Sequence, residues 1–153
     1  METIERKLSA MGLVLPSGAP PAANYLPFIR SHPLLFISGQ LPLRDGRPAF
    51  AGRLGDGVSI EDGYAAARLC AINIIAQIKA AGCLERVHRV VRLGGFVSAT
   101  TEFTDHPKVV NGASDLFVEV FGEAGRHARA AVGVSSLPFG VPVEVDAVIE
   151  ITN

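Results

Sequence analysis

The chain has 153 residues, 48% of them hydrophobic and 19% charged, a composition that fits a folded globular protein of one domain, 1–153, and excludes a disordered or fibrous chain. Fourteen basic against fifteen acidic side chains leave a net charge of −1, so no broad positive field recruits phosphate backbones and nucleic acid is not an expected partner. The longest apolar runs, such as Leu34–Ile37, fall far short of the roughly 18 residues that span a bilayer, so no membrane partner is expected either. The N-terminus METIERKLSAM interleaves charge with apolar residues, unlike a signal peptide, which predicts a cytoplasmic protein with Cys70 and Cys83 as free thiols. Without a CxxC spacing, and with histidines scattered at His32, His88, His106 and His127, no metal site is expected.

Ile4, Leu8 and Met11 recur at helical spacing before Gly12 and predict a short amphipathic helix over 3–11, followed by a Pro- and Gly-rich connector, SGAPPAANYLP. Extended runs come next at 25–30 and 34–39, separated by Ser31-His32-Pro33. The RDGRP stretch at 44–48 holds an Asp-Gly turn, and FAGRLGDG is expected to be loop. A long helix is predicted over 60–81, opened by the capping-box-like Ser59-Ile60-Glu61-Asp62 and closed by Gly82, with Ile60, Tyr64, Ala67, Ala71, Ile74, Ile75 and Ile78 on one stripe. Val-rich 86–99 reads as a strand in which Gly94-Gly95 marks a bulge or a close approach. A second long helix runs from about Pro107 to Gly122 and buries Val110, Ala113, Phe117, Val120 and Phe121. Strands at 128–136 and 141–151 finish the chain. The order helix, strands, helix, strand, helix, strand, strand predicts an α+β layered domain: one mixed sheet with two long helices on one face. No helix remains to cover the other face, so water or another subunit must.

Strand alternation assigns Ala130, Val132 and Val134 to one face of the first closing strand, expected to be core, and Arg129, Ala131, Gly133 and Ser135 to the other. Small neighbours leave room beside a guanidinium whose planar fork matches a carboxylate, so Arg129 is either an anion receptor or an ordinary solvated or ion-paired arginine. On the last strand Val143, Val145, Ala147, Ile149 and Ile151 share a face, leaving Glu144, Asp146 and Glu150 opposite. Asn111 and Gly112 are poor helix formers inside a helix, which points to a polar task or a close packing contact. Ser38-Gly39 ends a strand where a glycine either presents backbone to a ligand or forms a bulge.

Taken together, SGQLP at 38–42, VVNGAS at 109–114, ARAAVGVSSLP at 128–138 and PVEVDA at 142–147 resemble the RidA/YjgF family of reactive-intermediate deaminases, over residues 20–152. The resemblance implies a chorismate-mutase-like fold assembled as a homotrimer, with ligand clefts between subunits and cofactor-independent hydrolysis of 2-imino acids to 2-keto acids and ammonia. By position it implies that Arg129 clamps the substrate carboxylate, that Glu144 orients or deprotonates the attacking water, and that Tyr25, Ser38, Gly39, Asn111 and Ala131 line the cleft. Ala131 stands where many bacterial members carry cysteine. The N-terminal extension over 1–19 and GRLGDG before the long helix are additions relative to short members and mark a divergent subgroup.

Hairpin pairing of the last two strands around Leu137–Gly140 would set Arg129 opposite Val148, with Glu144 about 13 Å along the strand, so different subunits could supply the two groups. A second reading of the same clefts is a non-catalytic sensor of small carboxylates. Ribonuclease activity, a third, is disfavoured by the charge balance.

Overall fold

The long elements begin and end where side chains or glycine conformations satisfy the backbone. In the computed structural model, which describes residues 1–18 and 23–153, the Thr3 hydroxyl accepts from the Arg6 amide to open α1 (Ile4–Ala10), and Gly12 follows it at φ +73°. Part of the expected connector, 19–22, lies outside the described residues. Ser59 opens α2 (Ile60–Ala80) by accepting from the Asp62 amide at 3.0 Å. The third helix, α3 (His106–Phe121), carries Pro107 in its first turn and stops at Gly122, φ +63°.

The strands are β1 (Phe28–Ser31), β2 (Leu34–Gln40), β3 (Leu43–Arg44), β4 (Arg47–Pro48), β5 (Arg53–Leu54), β6 (Gly57–Val58), β7 (Val87–Ser98), β8 (Ala128–Val134) and β9 (Val143–Ile151). Five of them form one mixed sheet in the order β1-β2-β9-β7-β8. Asp45-Gly46, both at positive φ, make the tight turn between β3 and β4. The FAGRLGDG segment is not wholly loop: β5 and β6 pair in parallel within it, and Leu54 is fully buried.

The last two strands do not form the expected hairpin. β9 inserts between β2 and β7, antiparallel to both, while β8 pairs in parallel with the far side of β7. A parallel neighbour needs a crossover connection, and α3 supplies it, so β7, α3 and β8 make one βαβ unit. Between β8 and β9 the chain crosses the sheet end, where Phe139 adopts a left-handed φ of 59° and the Gly52 amide donates to the Gly140 carbonyl at 2.8 Å.

Both long helices lie on one face. Val143, Val145, Ala147 and Ile149 of β9 and Val90, Leu93 and Val97 of β7 are buried against Ile74, Ile75 and Ile78 of α2 and Val110, Ala113 and Phe117 of α3. Two glycines set the spacing. A Cβ on Gly95 would come within 2.6 Å of the Val110 methyls, and one on Gly112 would collide with the Tyr64 carbonyl, so α2 and α3 cross with backbones in contact. The β7 register shifts fall at Val87/Arg89 and Val90/Arg92, which leaves Gly95 as a close approach and not a bulge.

The opposite face carries Ile29, Phe36 and Val132, exposed at 52%, 41% and 45%. This corrects the expected orientation of β8. Parallel neighbours share faces, and the pairs Leu93↔Arg129 and Gly95↔Ala131 put Arg129 and Ala131 on the helix side, whereas Gly94↔Ala130 and Phe96↔Val132 put Ala130 and Val132 on the uncovered side. Val132 is not core.

Candidate functional site

The sequence-predicted residues fall into two groups, one on each side of the sheet. On the helix side of the edge strand β8, Arg129 is half-buried and reaches up to α3. Its Nη1 donates to Asn111 Oδ1 at 2.9 Å and to Ser114 Oγ at 3.0 Å. Asn111 and Ser114 lie three residues apart on one helix face, so both acceptors point toward the strand. The Asn111 carbonyl and Ser114 hydroxyl are neutral, and among the described residues no carboxylate lies within ion-pair distance of Arg129. The two bonds occupy both hydrogens of Nη1, while Nε and Nη2 meet no acceptor among the described residues. Arg129 is therefore an anchored cation with an unused bidentate edge and an unneutralised charge. Ala131 shares its face and packs against the core.

Glu144 stands on the uncovered face. The β2 register shifts between Ile37 and Gln40, and the extra residue brings Ser38-Gly39 against β9, where the Glu144 carboxyl packs on bare backbone: a Cβ on Gly39 would lie 2.9 Å from Glu144 Cδ. Of the two expectations for Gly39, the bulge holds. The Ser38 hydroxyl donates to the Leu26 carbonyl at 2.6 Å, which ties the Tyr25–Leu26 segment to this end of the sheet, with Tyr25 itself 48% exposed. Burial, and secondarily the charge of Asp146, raises the Glu144 pKa above the ordinary value. A carboxyl so placed is a better proton acceptor near neutral pH than a solvated one.

The two groups do not meet within one subunit. Arg129 is level with Leu93 and Ala147, and Glu144 is level with Phe96. Three residues along and two strands across separate their Cα atoms by about 14 Å, with the sheet between the side chains.

Sequence reasoning missed Ser114 and His127. His127 Nε2 lies 2.8 Å from Ser114 Oγ, and its Nδ1 2.6 Å from the Gly125 carbonyl. The signal was available: His127 precedes Arg129 by two residues, a same-face spacing in extended chain, and Ser114 follows Asn111 by three in a helix.

The chain matches, over residues 5–147, the family described as "YjgF/chorismate_mutase-like, putative endoribonuclease". It is 48% identical to protein TCP17 of Trypanosoma cruzi across 98% of this chain and 95% of that protein. The structure of a "putative endoribonuclease" from Shewanella oneidensis is 38% identical and covers 98% of this chain and 100% of its own, with a TM-score of 0.93. E. coli TdcF with bound serine is 25% identical, with 88% and 94% coverage and a TM-score of 0.64. No helix among the described residues is long and apolar enough to cross a membrane. With that match running through the sheet, both long helices and the strands that carry Arg129 and Glu144, the chain belongs to the YjgF/RidA family of chorismate-mutase-like α+β proteins.

Proposed function

We propose that the protein hydrolyses reactive 2-imino acids, such as those released by pyridoxal-phosphate enzymes, to 2-keto acids and ammonia, in clefts between the subunits of a homotrimer. The observation that carries this reading is Arg129, held by two neutral acceptors and left with three unused N–H groups and a full positive charge. That is the arrangement a carboxylate ligand requires. TdcF, described with bound serine, takes a small molecule bearing such a group.

The chemistry asks little more of the protein. With the carboxylate fixed on Arg129, a water deprotonated by Glu144 adds to the iminium carbon and gives a carbinolamine. Glu144 returns the proton to nitrogen and then takes the hydroxyl proton of the carbinolamine, so that the C–N bond breaks, its electron pair leaves with ammonia and the carbonyl forms. Positioning the imine and accepting one proton account for the catalysis. Because Arg129 and Glu144 lie on opposite faces of one sheet, a second copy supplies Glu144, packed against Gly39, together with Ser38 and Tyr25, to the Arg129, Asn111 and Ala131 of the first. The apolar face bearing Ile29, Phe36 and Val132 is the surface that copies bury against one another.

Keto-acid formation is measured on imines generated in situ by an amino-acid oxidase, with semicarbazide as competing trap. Glu144→Gln slows turnover by about 10²–10⁴-fold while 2-keto acid binding persists. Unchanged turnover removes Glu144 from the mechanism, and binding without any hydrolysis by the parent protein establishes the carboxylate sensor instead. A stable monomer in sedimentation equilibrium at micromolar concentration rules out the intersubunit cleft. The endoribonuclease wording attached to the family and to the Shewanella structure finds little support in this chain, whose net charge is −1 and whose uncovered face sets Arg92 beside Asp146 at 4.0 Å.

A further inference from the structure

Behind Arg129 stand two side chains that the reaction proposed above does not use. We propose that Ser114 and His127 form a polarised hydrogen-bond relay that fixes the Arg129 guanidinium with its free edge toward the ligand, so that both are positioning residues for carboxylate recognition. The proposal rests on the reading of Arg129 as a carboxylate clamp.

The direction of every proton in the relay follows from its ends. The Gly125 carbonyl only accepts, so His127 Nδ1, 2.6 Å away, carries the hydrogen. In a neutral ring Nε2 then bears a lone pair, and at 2.8 Å it accepts the Ser114 hydroxyl proton. With that proton committed, the lone pairs of Ser114 Oγ are left for Arg129 Nη1 at 3.0 Å, and the second Nη1 hydrogen goes to Asn111 Oδ1 at 2.9 Å. Each partner has one role, and each bond strengthens the next. Asn111 alone would leave the guanidinium free to swing about a single contact. Two acceptors on one nitrogen define the plane of the fork and turn Nε and Nη2 outward.

The ring itself is seated. It meets the fully buried Phe117 edge-on, with centroids 6.3 Å apart at 73°. Burial lowers the His127 pKa, and the Arg129 charge adds to that effect against the opposing Gly125 bond, so the neutral tautomer persists through neutral pH. Of the elements around the ring, α3 presents uncharged Ser114 and Phe117, the 122–125 turn presents the Gly125 carbonyl, and β8 presents Arg129; Glu123 and Arg126 pair with each other at 3.0 Å. A protonated His127 would donate to Ser114 from Nε2, displace the hydroxyl proton and set a second cation in the chain.

Two measurements on the intact protein test the relay. Nitrogen-15 NMR of the histidine ring reads the tautomer directly, and the expected result is neutral Nδ1–H. Titration calorimetry with 2-oxobutanoate reads the consequence: Ser114→Ala and His127→Phe each weaken binding about tenfold, and the double variant is no worse than either single one, because both break the same chain. His127→Gln, whose amide oxygen accepts near the place of Nε2, recovers affinity to within about threefold of the parent, and its affinity stays flat on acidification where that of the parent falls once pH drops through the lowered His127 pKa, below the ordinary histidine value. An Nε2–H tautomer, strictly additive losses, or parental affinity in Ser114→Ala and His127→Phe overturns the relay. If instead the parent binds no 2-keto acid and Arg129→Ala changes nothing, the clamp reading has failed, and the relay loses its purpose with it.

Discussion

Lysine at position 129 keeps the charge of Arg129 and removes its fork, which makes Arg129→Lys the sharpest test of the proposal that this fork holds an anion. Arginine divides its five N–H groups: the two on Nη1 are spent on Asn111 and Ser114, and the other three meet no acceptor among the described residues. An ammonium has three, all on one atom. If it keeps both anchors it has one hydrogen for a ligand, and if it turns to the ligand it abandons them. It loses a charge-assisted bond to the carboxylate in the first case, and the anchors that aim it together with the planar fork in the second, at a cost of about 1.5–3 kcal/mol, or roughly 10–150-fold in Kd. The fold should scarcely notice. Asn111 and Ser114 are only partly buried, so water takes over their lost bonds. Even Arg129→Ala should then cost about 1 kcal/mol, a fall of roughly 2–4 °C in melting temperature for a chain of this length. Calorimetric titration with 2-oxobutanoate and a thermal melt of both variants supply the two numbers. Threefold or smaller loss of affinity in Arg129→Lys, or a drop of about 10 °C or more in Arg129→Ala, would show that the arginine holds the structure and not a ligand.

Because burial raises the Glu144 pKa, the folded state holds that proton more tightly than the unfolded chain does; the resulting stabilisation is complete below the ordinary value of 4.5 and is lost as pH rises through the raised one. Glu144→Gln should accordingly melt higher than the parent at pH 7–8, with the difference vanishing below that ordinary value, and the opposite sign in pH-dependent melts would contradict the burial argument. Gly112→Ala drives a methyl into the Tyr64 carbonyl where α2 and α3 cross, and neither backbone yields cheaply, so a loss of about 3 kcal/mol is expected in urea denaturation; a loss below about 0.5 kcal/mol would deny the close crossing. Val132→Asp places a charge on the uncovered face, where Val132 is 45% exposed, and should leave a folded monomer without activity; a trimer of unchanged size in sedimentation would show that this face is not the interface.

Signals carried by neighbouring residues were legible in the sequence. Ser59 as a cap, Gly12, Gly82 and Gly122 as stops, and the alternation of Val143 to Ile151 depend on backbone chemistry within a few positions, and the corresponding helices and strand stand where that chemistry puts them. The motifs around Ser38, Asn111, Arg129 and Glu144 likewise named the family, because residue type and order survive without any knowledge of pairing. What the sequence left open was which strand neighbours which. Proximity in the chain favours a hairpin between β8 and β9, yet α3 is long enough to carry the chain across and lay β8 parallel to β7, while the apolar face of β9 is buried more fully between β2 and β7 than at an edge. That non-local choice turns the whole of β8 over. It brings Arg129 under α3 within reach of Asn111 and Ser114, sends Val132 to the uncovered face, and leaves Glu144 on the far side of the sheet. Local chemistry determined the pieces, and the pairing of distant strands, which no short window of sequence encodes, decided which side of the sheet each functional group occupies.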